Sequence, residues 1–136
     1  MAKEEINTEQ PKTRWFIDLG WFPQNNRSIS ALVKSRLCAK CRRQLADEGK
    51  RPTDIELLSM VKDCCSQAPE FITGQLPILE SAFRLFLANG NQPLTLEELG
   101  KQLTEKRGGD TYRTSEGILS RLLQSDQFYG LKSTTD

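Results

Sequence analysis

Four cysteines in a chain without histidine place the strongest constraint on this fold. Cys38 and Cys41 form a Cys-x-x-Cys pair, and 22 residues separate them from the adjacent cysteines Cys64 and Cys65. Two thiolates spaced Cys-x-x-Cys can reach one tetrahedral ion at about 2.3 Å, and adjacent cysteines can do so where the backbone bends, as at a helix end. Without histidine, a zinc site must consist of thiolates unless a carboxylate joins it. We therefore predict that the four cysteines bind a structural Zn²⁺.

The sequence leaves other roles open for these cysteines. They could be free, partly buried thiols, with Cys41 simply part of the core. They could also form disulfides, or hold an iron–sulfur cluster through the same four thiolates. A closed shell of four thiolates leaves no open position for water, so we expect zinc to act structurally. Its task would be to stabilise a module whose own core is small.

Positive charge is concentrated in one block, although the net charge of the chain is only +1. Residues 12–51 contain ten Lys or Arg against three Asp or Glu, and the remaining residues are acidic on balance. Such a block is either a solvated surface or a surface for nucleic acid or another polyanion. Under the second interpretation, phosphates are contacted by basic side chains next to the cysteines, namely Arg36, Lys40, Arg42 and Arg43.

The sequence divides into four segments, and the fold class that it predicts is mainly α. Residues 1–13 are polar and are predicted to be a disordered leader. Residues 14–67 are predicted to form a small, basic, four-cysteine helical module of the zinc type. Residues 76–131 are predicted to form a three-helix, winged-helix-like domain, followed by a polar tail over residues 132–136.

The four-cysteine module is predicted to contain a short strand near Trp15 and two helices. Ser28 or Ser30 can cap the first helix, and a break is expected at Cys38 because metal-binding cysteine pairs often lie on a turn. The second helix begins just after Pro52. Apolar residues recur every four positions along the first helix: Ile29, Val33, Leu37, Cys41 and Leu45.

Helical periodicity is clearest in residues 76–131. Thr95 and Glu98 have the spacing of a capping box, which predicts the start of the second helix of this domain. A third helix begins near Thr114, and residues 128–131 are predicted to form a short strand. In the first helix, the apolar residues follow the amphipathic template at Leu79, Ala82, Phe83, Phe86 and Leu87.

This order of elements resembles a winged helix-turn-helix domain, and residues 88–123 resemble in particular the HARE-HTH group. The residues that carry the resemblance are Asn89-Gly90 closing helix one, Pro93-Leu94-Thr95 opening helix two, and residues 114–123 as helix three. The resemblance implies that residues 114–124 form a recognition helix. It also implies contacts with base edges or phosphates through Arg113, Arg121 and Gln124.

Several classes of function are not expected. The sequence contains no P-loop, dinucleotide-binding or nucleophile-elbow motif, and it lacks the commonest general base, so we expect neither enzymatic activity nor a small-molecule substrate. No apolar run approaches the roughly 18 residues that cross a bilayer, and the first ten residues lack the apolar core of a secretory signal. We therefore expect a cytoplasmic protein without membrane association.

Our first hypothesis is a zinc-stabilised, nucleic-acid-associated protein that acts as a transcription-related regulator. Its partner would be nucleic acid, with DNA favoured over RNA, or a protein of the transcription machinery. The alternative is a non-enzymatic adaptor that binds another protein through the winged-helix-like domain. A third hypothesis is a redox or metal sensor that uses Cys64 and Cys65.

Overall fold

The computed structural model describes residues 12–49, 51–109 and 114–135. In these ranges seven α-helices and three short strands confirm the expected mainly α class. None of these helices combines the length and the apolar character needed to cross a bilayer. In chain order the elements are β1 (Thr13–Ile17), α1 (Trp21–Gln24), α2 (Ile29–Lys34), α3 (Ala39–Glu48), α4 (Asp54–Asp63), a 3₁₀ turn (Cys65–Gln67), α5 (Ile78–Ala88), β2 (Leu94–Thr95), α6 (Leu96–Arg107), α7 (Glu116–Gln124) and β3 (Leu131–Thr135).

The basic helical stretch is broken before the first cysteine, as its sequence predicts. Ser28 caps α2 by accepting a hydrogen bond from the Ala31 amide at 3.1 Å. The helix ends at Lys34, and Cys38, in extended conformation, caps the start of α3. Gly49 then ends α3 with a φ of 65°, a left-handed conformation that glycine adopts without steric cost.

The capping box predicted before α6 is confirmed. The Thr95 hydroxyl accepts from the Glu98 amide at 3.2 Å, and the Glu98 carboxylate accepts from the Thr95 amide at 2.9 Å. An equivalent box between Thr53 and Glu56 begins α4. Both boxes satisfy amides that would otherwise lack partners at a helix start.

The three strands form one antiparallel sheet in the order β2-β1-β3. Trp15 pairs with Leu94 on one side of β1 and with Ser133 on the other. The predicted strand near Trp15 is thus confirmed, but it is the central strand of a sheet whose other strands lie in the C-terminal part of the chain. Thr13, assigned to the leader, already belongs to β1, whereas residues 1–11 lie outside the described ranges.

The last strand was predicted at residues 128–131, and this position is wrong: β3 spans Leu131–Thr135 and takes up most of the predicted tail. Asp126 explains the shift. Its buried carboxylate accepts hydrogen bonds from the amides of Phe128, Tyr129 and Leu131. These bonds hold a turn in which the amides of residues 128 and 129 point at a side chain instead of a neighbouring strand.

The predicted modules 14–67 and 76–131 do not have separate cores. Ile17, Val33 and Leu57 from the first lie in the same buried apolar cluster as Phe83 and Leu119 from the second. β1 adds a shared sheet to this shared core. The boundary predicted near residues 67–75 is therefore a connection within one packed structure.

Candidate metal centre and basic surface

Three of the four cysteines form a compact cluster. The Sγ atoms of Cys38, Cys41 and Cys64 all lie within 4.8 Å of one another. The distance from Cys38 Sγ to Cys64 Sγ is 3.9 Å. Two sulfurs bound tetrahedrally at about 2.3 Å from one ion would be about 3.8 Å apart. The cluster therefore has the donor atoms and the spacing to hold a metal ion.

Two helix ends bring these sulfurs together. Cys38 precedes α3 and Cys41 lies in its first turn, so the Cys-x-x-Cys pair bends around the start of the helix. Cys64 ends α4 with φ −126° and ψ −63°, outside the helical range, and the 3₁₀ turn follows directly. The bend that adjacent cysteines require is thus present at the end of a helix, as predicted.

Cys65 borders the cluster from the buried side. Its Sγ accepts a hydrogen bond from the Cys38 amide at 3.1 Å, and the residue is almost completely buried. Cys65 therefore touches the cluster, although it is not among the three cysteines whose sulfurs meet the mutual distance of 4.8 Å. None of the four cysteines forms a disulfide in this structure.

The pKa values of the cysteine thiols differ. The amide of Cys41 donates to the Cys38 sulfur and is the main cause that lowers the pKa of Cys38 to about 7, against the opposing effect of burial. Burial, reinforced by the neighbouring sulfurs, raises the pKa of Cys41, and burial is also the main cause that raises that of Cys65. Buried thiolates need a nearby positive charge, which a bound cation supplies.

The basic residues predicted to contact phosphates do not form one surface. Arg42 and Arg43 are exposed on α3 and line a groove beside Cys38 and Cys65. Lys40 is also exposed but lines a different depression, on the other side of the helix.

The position of Arg36 contradicts its predicted role as a phosphate ligand. Its Nη2 atom lies 2.6 Å from Glu80 Oε1 and its Nε atom 2.6 Å from Glu80 Oε2, with only 12% of the side chain exposed. A bidentate pair of this kind fixes the guanidinium and offsets part of its charge. Arg36 therefore anchors the loop before α3 to α5 and is not a free phosphate ligand.

Glu80 is the centre of a buried polar network that we did not predict. Besides Arg36, it accepts hydrogen bonds from Arg84 at 2.7 Å and from the Tyr129 hydroxyl at 2.8 Å. Burial acts to raise the pKa of Glu80, but the hydrogen bonds from Arg36, Arg84 and Tyr129 outweigh it and lower the pKa to about 2. Burial and the bond to Glu80 raise the pKa of Tyr129 to about 12. The sequence contains one signal that could have revealed this network: Glu80 lies on the same side of α5 as Phe83, and an arginine follows four residues later.

A helix, α7, is present over Glu116–Gln124, where a third C-terminal helix was predicted. Leu119 and Leu123 are buried on its inner side, while Arg121 and Gln124 are exposed, and the Gln124 amide donates to Ser120 at 2.9 Å. Arg113, the remaining predicted contact, lies outside the described ranges. The two exposed side chains are free to meet a partner.

No protein-family model, curated protein or solved structure matches this chain. The resemblance to winged helices therefore stays a prediction.

Proposed function

We propose that this protein is a zinc-stabilised, nucleic-acid-associated protein without enzymatic activity. The observation that carries the proposal is the position of the cysteine cluster at the start of α3, where the exposed Arg42 and Arg43 directly follow Cys41. An ion bound by the cluster would hold the first turn of this helix against the end of α4. The metal would thereby fix the orientation of the arginines.

Zinc is the metal that best fits the donors. Thiolates are soft ligands, and a tetrahedral set of them is typical of zinc or iron–sulfur sites. In the proposed site Cys65 is the fourth ligand, since its sulfur already contacts the Cys38 amide. When bound, zinc would hold these four residues as thiolates and contribute to folding, as structural zinc does in other small modules.

The order of the C-terminal elements supports the transcription-related part of the proposal. Helix α5 is followed by the short strand β2, then by α6, α7 and β3. This order follows that of a winged helix-turn-helix domain, with β1 from the other end of the chain completing the sheet. On this basis we propose Arg121 and Gln124 of α7 as a second contact with nucleic acid or with a protein of the transcription machinery.

Elemental analysis of the purified protein tests the metal. We expect one zinc per chain, and loss of the metal together with a lower melting temperature on chelation. Iron in place of zinc would contradict the zinc assignment, and a metal-free protein whose melting temperature is unchanged by added zinc would contradict the site itself.

A salt titration tests nucleic-acid association. Binding of a labelled oligonucleotide should weaken steeply with added salt, because phosphate contacts release counterions. The double variant Arg42→Gln/Arg43→Gln should bind more weakly, with a shallower salt dependence. Lys101→Gln/Lys106→Gln, which removes two exposed charges from α6, is the matched control. Equal affinities for the two double variants would contradict the role of α3.

One observation favours the adaptor as a second candidate. Leu19 and Ile55 are 41% and 76% exposed, and together with Leu58 they line an apolar depression between β1 and α4. Exposed apolar surface of this kind is found at protein-binding sites. Partners that survive nuclease treatment and are lost with Ile55→Glu, but not with Arg42→Gln/Arg43→Gln, would support the adaptor.

A further inference from the structure

We infer that the nucleic acid bound by this protein is single-stranded, with its phosphates along the arginines beside the cysteine cluster and a base stacked at Phe128. The inference rests on the proposed nucleic-acid association and specifies the ligand. A single-stranded ligand on this path differs from the DNA duplex that α7 would contact under the winged-helix resemblance.

The first part of the ligand path is the arginine groove, defined here as the depression beside the cysteine cluster. Among the described residues that line it, Glu70 is the one acidic residue, and Glu80 offsets only part of the positive charge. The groove is therefore positive on balance, as a path for a phosphate backbone must be. Its exposed basic residues are Arg42 and Arg43, whereas Arg36 and Arg84 also line it but are held by Glu80.

The second part is an aromatic platform formed by Phe128 and Arg27. Phe128 is 45% exposed, although a large apolar ring is normally buried. The Arg27 guanidinium lies 5.5 Å from the Phe128 ring centroid and 5.8 Å from that of Trp21. An arginine held over an aromatic ring offers both charge and a flat face, and nucleic-acid bases stack on both kinds of group.

The two parts adjoin. Ser35 lines both the arginine groove and the depression that contains Arg27 and Phe128. The Arg42 guanidinium donates to the Ser35 carbonyl at 3.0 Å, so the cationic side chain lies directly at the junction. One extended ligand could therefore contact phosphate-binding and base-stacking groups in succession.

Contacts from Tyr129 and Asp126 hold the Phe128 ring in place. The Phe128 ring packs edge to face on Tyr129 at 4.9 Å between centroids, and the Tyr129 hydroxyl is bonded to the buried Glu80. Asp126 fixes the backbone at Phe128 and Tyr129 through their amides. A ring held in this way loses little conformational entropy on binding.

The chemistry of the path favours a single strand over a duplex. Bases in a duplex are stacked on one another, so their faces cannot reach a protein side chain unless they are unpaired. Aromatic platforms joined to positively charged grooves are suited to single strands, because every base has a face that can stack. An acidic peptide would satisfy the arginines but would offer no flat group to stack on the platform of Phe128 and Arg27.

Polyglutamate serves as the acidic-peptide probe, and three nucleic-acid probes of about 15 nucleotides separate the other ligands. They are single-stranded oligothymidine, an abasic strand with the same number of phosphates, and a duplex. We expect oligothymidine to bind roughly tenfold more tightly than the abasic strand, since stacking adds to the phosphate contacts. Phe128→Ala should remove this preference and leave abasic binding unchanged, whereas Phe128→Trp should retain it. Gln92→Ala, at an exposed residue outside the path, is the control.

Other results would overturn the inference in distinguishable ways. A duplex bound more tightly than oligothymidine, with no effect of Phe128→Ala, would reject the single strand but retain nucleic-acid association. Equal binding of oligothymidine, the abasic strand and polyglutamate would show a charge-only surface. A folded protein that binds no probe at low salt would reject both the inference and the proposed function. Melting curves of each variant establish that it is folded.

Discussion

Tyr129 donates its hydroxyl to the carboxylate of Glu80 over 2.8 Å, and this bond joins the turn before β3 to the helix α5. The same carboxylate holds Arg36 from the loop before α3. One buried anion thus connects three segments that are distant in sequence, including the one that carries the candidate metal centre and the one that carries Phe128.

Replacing Glu80 with Gln should destabilise the protein by about 3 kcal/mol, because it leaves the buried Arg36 guanidinium without a charged partner. Urea unfolding measures the change. Glu105→Gln, at an exposed position on α6, serves as the control and should alter the free energy of unfolding by less than about 0.5 kcal/mol. Similar effects for the two variants would show that the network adds little to stability.

Stability should fall on the acid side because of Glu80. Its pKa is about 2 in the folded protein, below the ordinary 4.5, so the carboxylate stabilises the fold fully above pH 4.5. This contribution, about 3 kcal/mol at 1.36 kcal/mol for each pKa unit, is lost as the pH falls from 4.5 towards 2. The urea midpoint followed against pH should show the loss, and Glu80→Gln should remove most of it. An identical acid slope in wild type and variant would contradict the assignment.

Stability should also fall at high pH, because of Tyr129. Its pKa is raised from 10 to about 12, so its protonated form stabilises the fold below pH 10, and the contribution is lost as the pH rises towards 12. Absorbance of the ionised phenol, followed against pH, should show one tyrosine titrating late. Tyr129→Phe should abolish that step, and a late step that persists in this variant would assign it to the other tyrosine of the chain.

The four cysteines should differ in how strongly their substitution affects zinc binding. Cys38→Ser, Cys41→Ser and Cys64→Ser each remove a sulfur from the cluster and should lower the zinc content well below one per chain. Cys65→Ser tests the proposed fourth ligand and should weaken zinc binding against a competing chelator. Full retention of zinc affinity in this variant would leave a site of three thiolates, whereas full retention in the other three would contradict the centre.

Two helical glycines should respond in opposite ways to substitution with alanine. A Cβ at Gly100 on α6 would lie 2.8 Å from the Thr114 carbonyl oxygen, so Gly100→Ala should destabilise the protein by about 1–3 kcal/mol. A Cβ at Gly117 on α7 meets nothing within 4 Å, so Gly117→Ala should be neutral or stabilise by up to about 1 kcal/mol. Melting temperatures distinguish the two, and equal shifts would show that the approach of α6 to Thr114 is not tight.

Local features were predictable from the sequence, and long-range pairings were not. Ser28, Thr95 and Gly49 act within a few residues of their own position, so their roles at helix ends followed from sequence alone. The approach of the cysteines was predictable too, because metal-type spacing limits where they can lie.

The predictions that were wrong share a physical cause. Arg36 and Glu80 are 44 residues apart, and nothing in the local pattern of either shows that tertiary packing brings them together. The pairing of β1 with β2 and β3 is equally non-local, which is why the sequence suggested two separate units. Phe128 was assigned to a strand because strand propensity does not show that the Asp126 carboxylate holds the amides of residues 128 and 129 in a turn.

The central position of β1 has a consequence for synthesis of the chain. This strand emerges from the ribosome before β3, yet one of its edges is paired by Thr135 and its neighbours, more than a hundred residues later. Until those residues appear, the nascent β1 exposes an unpaired edge to other chains. Completion of the sheet must therefore await translation of β3, so codon changes that slow synthesis between the two strands should increase aggregation of newly made protein.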